Sequence, residues 1–423
     1  MYLTSNQPVG ICCKSASLSS DTIPQPQYTR DQKLLEPLRR VAAAAHDNRH
    51  TIAGPKQPMP ALPIPSIVQQ HLLDANSATI SRSVSGGLSG ASIYQGVCPL
   101  GNVCLRCWPT KHPSPERLAT IHSHLRQAKD HGIGFVPEVY CSKSGKTSVS
   151  DGSRLWELTQ WLPGEPVSTP DMDQCRTAMH SLAKLHACWQ QSHVRFQVSP
   201  GIAERTSRLA GWLKQLHTLV DRFGPAQGTI DSVSEAVQRS GHWELPQLAQ
   251  RTINLLHSIG PSLHAQLSSA AQLQVSNHWV IRDIWSDHVL FENSRVSGII
   301  DYGASRHDEP ALDVARLTGS YFAADFDAWH SAASHYWQAR EDARCQPLCQ
   351  EALDFDDWFA RLLVIDRANC LLSALQWLEW LVLSPRQFPV PTLQLVGRWT
   401  DFLDRCAAHE DSNLRSNSSL YPF

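Results

Sequence analysis

Trp279-Val-Ile-Arg-Asp283-Ile-Trp-Ser-Asp287-His288-Val-Leu-Phe291 runs through Glu292-Asn293-Ser294 into Arg295-Val-Ser-Gly-Ile-Ile-Asp301-Tyr-Gly303, and these residues decide the fold. Two short β-rich runs flank a turn-forming triplet, which is the pattern of a hairpin. Asp283 precedes the first strand in a loop and His288 opens that strand. Asp301 ends the second strand, beside Gly303, a residue that can take backbone angles others avoid. One loop and one hairpin therefore bring two carboxylates and an imidazole together.

Kinase-type phosphoryl transfer needs that arrangement: an acid–base or orienting Asp, then metal ligands for the nucleotide phosphates. The segment resembles the catalytic core of the aminoglycoside phosphotransferase and choline kinase-like family, distant relatives of protein kinases. The family pattern is His-Gly-Asp, four residues, Asn, a hydrophobic strand, then a hairpin ending in Ile-Asp-Phe-Gly. Here it reads Ile281-Arg282-Asp283, four residues, His288, Val289-Leu290-Phe291, then Ile300-Asp301-Tyr302-Gly303. Downstream, Glu309-Pro310-Ala311-Leu312-Asp313-Val314-Ala315-Arg316 is similar to the family's Asp-Pro-Ala-x-Asp-Leu-Ala.

Three positions depart from the pattern: Ile281 stands for His, Arg282 for Gly and His288 for the metal-binding Asn. The first scaffolds the loop, where an apolar residue is tolerable. The third matters more, because magnesium prefers oxygen ligands and imidazole suits softer metals. Either His288 is a second ligand favouring manganese, or Asp301 alone holds the essential ion, or the chain is a degenerate relative without activity.

With 423 residues the chain can build two lobes, each with its own core. A hydrophobic content of 42% against 18% charged residues is that of a soluble globular protein. A formal charge of −2 offers no blanket attraction to nucleic acid or to an anionic membrane. Lys214 is the last lysine, so the C-terminal half draws its cations from Arg and His. A phosphate-binding lysine would have to come from the N-terminal half or be replaced. The cysteines, Cys104-Leu-Arg-Cys107 and Cys345-Gln-Pro-Leu-Cys349 included, lack a second pair at zinc-site spacing and read as buried thiols of a reducing cytoplasm. No signal peptide is visible, and Leu371–Leu383 is too short to span a bilayer and reads as a core helix.

Residues 1–60, rich in Ser, Pro, Gln and Thr, read as a disordered extension with one helical stretch. A short helix from Pro63 to Leu73 leads into a first lobe, 61–164. Its strands are expected at Ile80–Val84, Ser92–Val97, Val103–Trp108, Val136–Cys141 and Leu155–Trp161, with a helix from Pro115 to His131 after the third. The remainder, 165–423, reads as a helical lobe interrupted by the catalytic loop and hairpin at 279–303. Ala178–Gln190, 311–341, 352–383 and 392–408 are its expected helices, with two or three more in 191–275. The fold class is thus α+β, and the resemblance implies a two-lobed protein kinase-like fold with a small β-rich N-terminal lobe. Leu182-Ala-Lys-Leu185-His186 resembles the family's Leu-Ala-x-Leu-His helix, with His186 read as half-buried.

Nucleotide-binding residues follow from the same order. Gly86, Gly87, Ser89 and Gly90 join the first two strands, where glycines let backbone N–H groups approach phosphates. Arg106 stands where kinases carry the lysine that binds the α- and β-phosphates. Its usual partner, a Glu on the following helix, has no good counterpart, because Glu116 lies at the helix start. Leu155-Trp-Glu-Leu-Thr-Gln-Trp-Leu-Pro-Gly164-Glu-Pro166 is similar to the family's hinge strand, so the backbone between Thr159, Trp161 and Leu162 would meet the adenine edge.

The resemblance implies ATP and magnesium, or manganese if His288 is a ligand. It implies a small-molecule acceptor phosphorylated on a hydroxyl, with Asp283 catalytic and Asp301 and His288 on the metal. The alternative is a catalytically degenerate nucleotide-binding scaffold of the same fold. Asp354, Asp356, Asp357, Asp366 and Glu379, with Trp358, Trp377 and Trp380, could favour a cationic acceptor; solvated helix faces and core-filling indoles are the preferred reading.

Overall fold

The computed structural model describes residues 64–71, 79–84, 90–110, 112–191, 194–223, 244–343, 345–350, 353–388 and 390–416. All of these belong to the compact unit 60–423. The extension expected over 1–60 lies outside the described residues, as do Gly86, Gly87 and Ser89.

Helix α1 (Ile64–His71) precedes an antiparallel sheet of β1 (Thr79–Val84), β2 (Ser92–Cys98), β3 (Gly101–Cys107), β4 (Val139–Tyr140), β5 (Val149–Ser150) and β6 (Leu155–Gln160). The strand order is β1-β2-β3-β6-β4, with β5 also on β6. The expected strand Val136–Cys141 shrinks to two residues, and β5 is an addition. Asp151 explains the tight β5–β6 turn: its carboxylate accepts from the backbone N–H of Ser153 (2.9 Å) and Arg154 (2.8 Å) and from the Trp156 indole (2.9 Å).

Side-chain alternation gives the sheet two different faces. Val103, Leu105 and Cys107 of β3 and Trp156 and Leu158 of β6 pack with Ile67 and Val68 of α1 as one core. Arg106 lies directly across from Glu157, and Cys104 from Thr159, on the opposite face. Helix α2 (Pro115–Asp130) begins as the sequence implies, with Ser114 as its N-cap and Pro at the start.

A turn leads into β7 (Glu165–Pro166), which pairs with the hairpin at 289–299 rather than ending in a simple linker. Gly164 is required there. Its φ is +96°, and a Cβ would stand 2.7 Å from the Phe291 carbonyl oxygen and press on Ser297. The helical region follows: α3 (Met172–Gln190), opened by an Asp171–Gln174 capping box, β8 (Arg195–Gln197), α4 (Pro200–Phe223) and α5 (Leu245–Ala270). Strand β9 (Val275–Val280) is buried along its whole length and pairs with β8 and with β12 (Arg306–Asp308).

The hairpin itself is β10 (Val289–Glu292) and β11 (Arg295–Ile299). Asn293 and Ser294 both have positive φ, 48° and 60°, the geometry of a two-residue hairpin turn. Helices α6 (Ala311–Phe322), α7 (Phe326–Asp342), α8 (Phe355–Leu378, continued as a π turn to Leu383) and α9 (Thr392–Ser416) complete the chain. Trp358, Leu362, Leu371 and Trp399 sit in a continuous helical core, which agrees with reading 371–383 as interior rather than membrane. No helix among the described residues is long and apolar enough to cross a membrane.

Candidate functional site

The loop carrying Asp283 hangs from one buried carboxylate. Asp313, at the start of α6, accepts from the backbone N–H of Ile281 (2.7 Å) and of Arg282 (2.6 Å). It also accepts from His186 Nε2 at 3.0 Å, while His186 Nδ1 takes the Tyr336 hydroxyl proton at 2.7 Å. His186 is therefore fully buried, not half-buried as its helix pattern suggested. Burial holds it below the usual histidine range, in the neutral form that this donor–acceptor chain requires.

Arg282 occupies a left-handed position, φ 68°, which explains why the related pattern carries Gly there. The strain is held by its side chain, whose Nη2 reaches Glu204 at 3.1 Å and whose Nε lies 3.5 Å from the buried Asp308. Asp283 projects from this turn with about half its side chain exposed (52%), and Arg316 Nη2 donates to its Oδ1 at 2.9 Å.

His288 closes a 3₁₀ turn, Ser286–His288, one residue before the strand expected to begin with it. Its partners fix the tautomer. The Trp285 indole N–H donates to Nε2 at 3.2 Å, so Nδ1 carries the proton and donates to the Asp283 carbonyl oxygen at 2.8 Å. Nε2 also faces Asp301 Oδ2 at 3.6 Å. As a metal ligand, His288 would have to release the indole.

Asp301 lies two residues past β11, with φ 63° at the mouth of the 3₁₀ turn Tyr302–Ala304. Its Oδ1 accepts from Arg106 Nη1 at 3.1 Å, joining residues 195 apart in sequence. Burial opposes its charge, but the Arg106 guanidinium outweighs burial and holds the carboxyl below the usual range. Gly303 follows because a Cβ there would meet the Trp108 ring at 2.9 Å. Trp108 in turn lies under the Arg106 guanidinium, 4.9 Å from the ring centroid.

The carboxylate partner that the helix did not offer Arg106 comes from the neighbouring strand. Glu157 Oε1 is 3.6 Å from Arg106 Nε, and its Oε2 is 2.5 Å from His122 Nε2 on α2. Arg106, Glu157 and His122 thus form a buried relay that ties helix, sheet and hairpin together. Burial would raise the Glu157 carboxyl, but His122 and Arg106 hold it low. Arg117, at the start of the same helix, donates to the carbonyl oxygens of Gly303 and Ser305, each at 3.2 Å. Neither Glu157, His122, Arg117, Trp285 nor Arg316 was among the sequence candidates. Arg316 alone carried a signal, as the residue following the Asp313-Val-Ala motif.

Of the phosphate-loop candidates, Gly90 is described, with φ +75°, at the start of the segment leading to β2. In the hinge, the Trp161 N–H is taken by Asn102 O at 2.9 Å and the Gln160 N–H by Glu138 O at 2.8 Å. Thr159 lies inside the ladder, opposite Cys104 and Val139. Leu162, the last of the hinge candidates, is buried against Gly298 of the hairpin.

Asp301 and His288 are the acidic and imidazole groups a metal could use, and no cluster of three or more His, Cys, Asp or Glu suits a metal among the described residues. That donor set fits magnesium held by one carboxylate and completed by nucleotide phosphates and water, the usual manner for this ion.

Residues 82–348 match the model of the phosphotransferase enzyme family, APH. No curated protein matches the chain. Among solved structures, the microcompartment-associated aminopropanol kinase aligns over 84% of this chain and 97% of its own, at 16% identity and a TM-score of 0.50. The amicoumacin kinase in complex with AMP-PNP and Ca²⁺ aligns over 81% and 92%, at 13% identity and 0.50. An aminoglycoside phosphotransferase from Alicyclobacillus acidocaldarius aligns over 86% and 98%, at 14% identity and 0.49. The two structures at a TM-score of 0.50 show the two-lobed kinase-like fold, and the family match over residues 82–348 shows that the chain belongs to the phosphotransferase enzyme family.

Proposed function

We propose that this chain is an ATP-dependent phosphotransferase acting on a hydroxyl group of a small molecule. The observation that carries the reading is the Arg106–Asp301 ion pair, 3.1 Å long, between the cation of β3 and the carboxylate that ends the hairpin. A nucleotide's phosphates would lie against Arg106 and a bound cation against Asp301, beside this contact. Of the structures with this fold, the amicoumacin kinase is in complex with AMP-PNP and Ca²⁺, and another is an aminopropanol kinase. Magnesium, when bound, would neutralise charge on the phosphates. Asp301 would hold it, with His288 as the further candidate once Trp285 moves.

In this reading Asp283 orients the acceptor hydroxyl and takes its proton. The acceptor oxygen bonds to the γ-phosphorus as the bond from phosphorus to the β–γ bridging oxygen breaks, and ADP leaves with that electron pair. Gly86, Gly87, Ser89, Gly90, Arg106 and the chain from Thr159 through Trp161 to Leu162 would bind the nucleotide.

Two substitutions test the roles separately. Asp301→Asn should abolish metal-dependent ATP binding in isothermal titration; unchanged affinity and metal dependence would sink the assignment. Asp283→Ala should leave Mg-ATP affinity near normal and lower turnover by roughly 10²–10⁴. A wild-type chain that binds Mg-ATP but transfers phosphate to no hydroxyl compound, with magnesium or manganese, would support the degenerate scaffold instead.

A further inference from the structure

Arginines gather beside Asp283, and two of them, Arg205 and Arg398, make no ion pair with a carboxylate among the described residues. Arg205 on α4 has neutral partners, donating through Nε to Asn369 Oδ1 at 2.8 Å and through Nη1 to Gly201 O at 2.9 Å. Arg398 on α9 lies over the Trp285 ring, 4.9 Å from its centroid, and has no carboxylate against it among the described residues. Arg316 lies over the same ring at 5.2 Å, and its partner is Asp283 itself. Of these four, Arg282 alone faces two carboxylates, Glu204 and Asp308.

Buried donors in the cluster also lack acceptors. Asn369 is 6% exposed, and its Nδ2 has no partner; neither do Arg316 Nε and Arg282 Nη1. A buried N–H without an acceptor is costly, and an incoming oxygen anion removes that cost. Burial, then the proximity of Arg282, pushes the Arg205 guanidinium down to about 10, and the nearby carboxylates Asp308 and Glu204 offset this only in part.

The opposite reading, a cationic acceptor, loses two of its five carboxylates to other partners. Asp366 is buried beneath Arg405 and His409, and Asp354 caps α8 by accepting from the Asp357 N–H. Trp358 and Trp377 are buried in the helical core.

Building on the phosphotransferase reading, we infer that the acceptor carries an anionic group, a carboxylate or a phosphate, besides the hydroxyl it offers. Arg205, Arg316, Arg398 and Asn369 would bind that group. In taking Arg316, the anion would draw it off Asp283 and free the carboxylate to receive the hydroxyl. The acceptor would thus complete the catalytic geometry by binding.

The test uses matched probes with the full chain: glycerate, glycerol 3-phosphate, glycerol and choline. Without nucleotide, isothermal titration should show glycerate or glycerol 3-phosphate binding at least about 10-fold more tightly than glycerol and choline. The preference between these two anions separates carboxylate from phosphate. Arg398→Gln and Arg205→Gln should each remove most of that advantage, and Arg398→Lys should retain part of it; circular dichroism checks that the variants fold. Equal binding of anion and glycerol, tighter binding of choline, or indifference to both Gln variants would overturn the inference. Phosphate transfer from Mg-ATP to the same probes tests the underlying reading independently. Anion binding without transfer to any probe would keep the site and remove the enzyme reading. Transfer preferring glycerol or choline would keep the enzyme and remove the anionic acceptor.

Discussion

A single carboxylate, Asp313, governs more of this site than either residue that would do the chemistry. It receives two backbone N–H groups and an imidazole N–H in a fully buried setting. Asp313→Ala would leave three donors unpaired, and each unsatisfied buried group costs about 1–3 kcal/mol. We expect a loss on the order of 3 kcal/mol or more in urea unfolding; an unchanged midpoint would show that the loop is held by something else. His288 is the second telling residue. It stands at the family's Asn position, yet its ring bridges Trp285 and the Asp283 carbonyl. His288→Asn should raise activity with magnesium relative to manganese if the imidazole serves the metal, because a nitrogen ligand suits the softer ion. Equal metal preference in both proteins would leave His288 a loop-positioning residue. The sequence marked both positions by motif, with His288 one residue before the strand it was expected to open, and could not show that their contacts run to neighbours on other elements.

Among the elements, the Glu157 strand and the Gly164 turn connect what the sequence kept separate. The helix after Arg106 carries no suitably placed Glu, so a conventional cation–carboxylate pair could not be expected from it. Strand pairing supplies the group instead, because β3 and β6 place Arg106 and Glu157 on one face. The helix contributes His122 to the far oxygen of that carboxylate. Glu157→Gln removes the charge between these two groups and should weaken Mg-ATP binding about 10-fold, on the scale of a lost charge-assisted contact. Unaltered affinity would show that Asp301 alone orients Arg106. Gly164→Ala probes the other connection. A Cβ at φ +96°, 2.7 Å from the Phe291 oxygen, must push β7 away from β10. A loss of about 2 kcal/mol or more is expected, and calorimetry showing an unchanged melting temperature would contradict this packing.

At the scale of the whole molecule, buried ionisable groups set the dependence of stability on pH. Burial holds His186, His278 and His71 below the ordinary histidine value. As pH falls through about 6.5, the unfolded chain gains protons that the native state does not, so stability falls. Asp366, Glu157 and Asp301 are held below the usual carboxylate range by their cations, and Asp151 lies down at about 2. Their contribution is present above about 4 and is lost as pH drops through the folded values. Asp308, raised by burial, opposes them in part. Melting temperatures measured from pH 8 to 3 should therefore decline in two stages, one below about 6.5 and a steeper one below about 4. A flat profile between 7 and 5 would mean that the histidines are not buried in neutral form. By itself, the sequence determined the order of elements, the hairpin with its two carboxylates, the cation of β3 and the helical character of the C-terminal half. Each of these is written in local periodicity, turn chemistry and fixed spacing, which act over a few residues. Tertiary structure decided which partner each charge received: Glu157 for Arg106, Arg316 for Asp283, Asp313 for the loop backbone. Those pairings join residues 31 to 51 positions apart, and only the packing of strand, hairpin and helix brings such distant positions into contact.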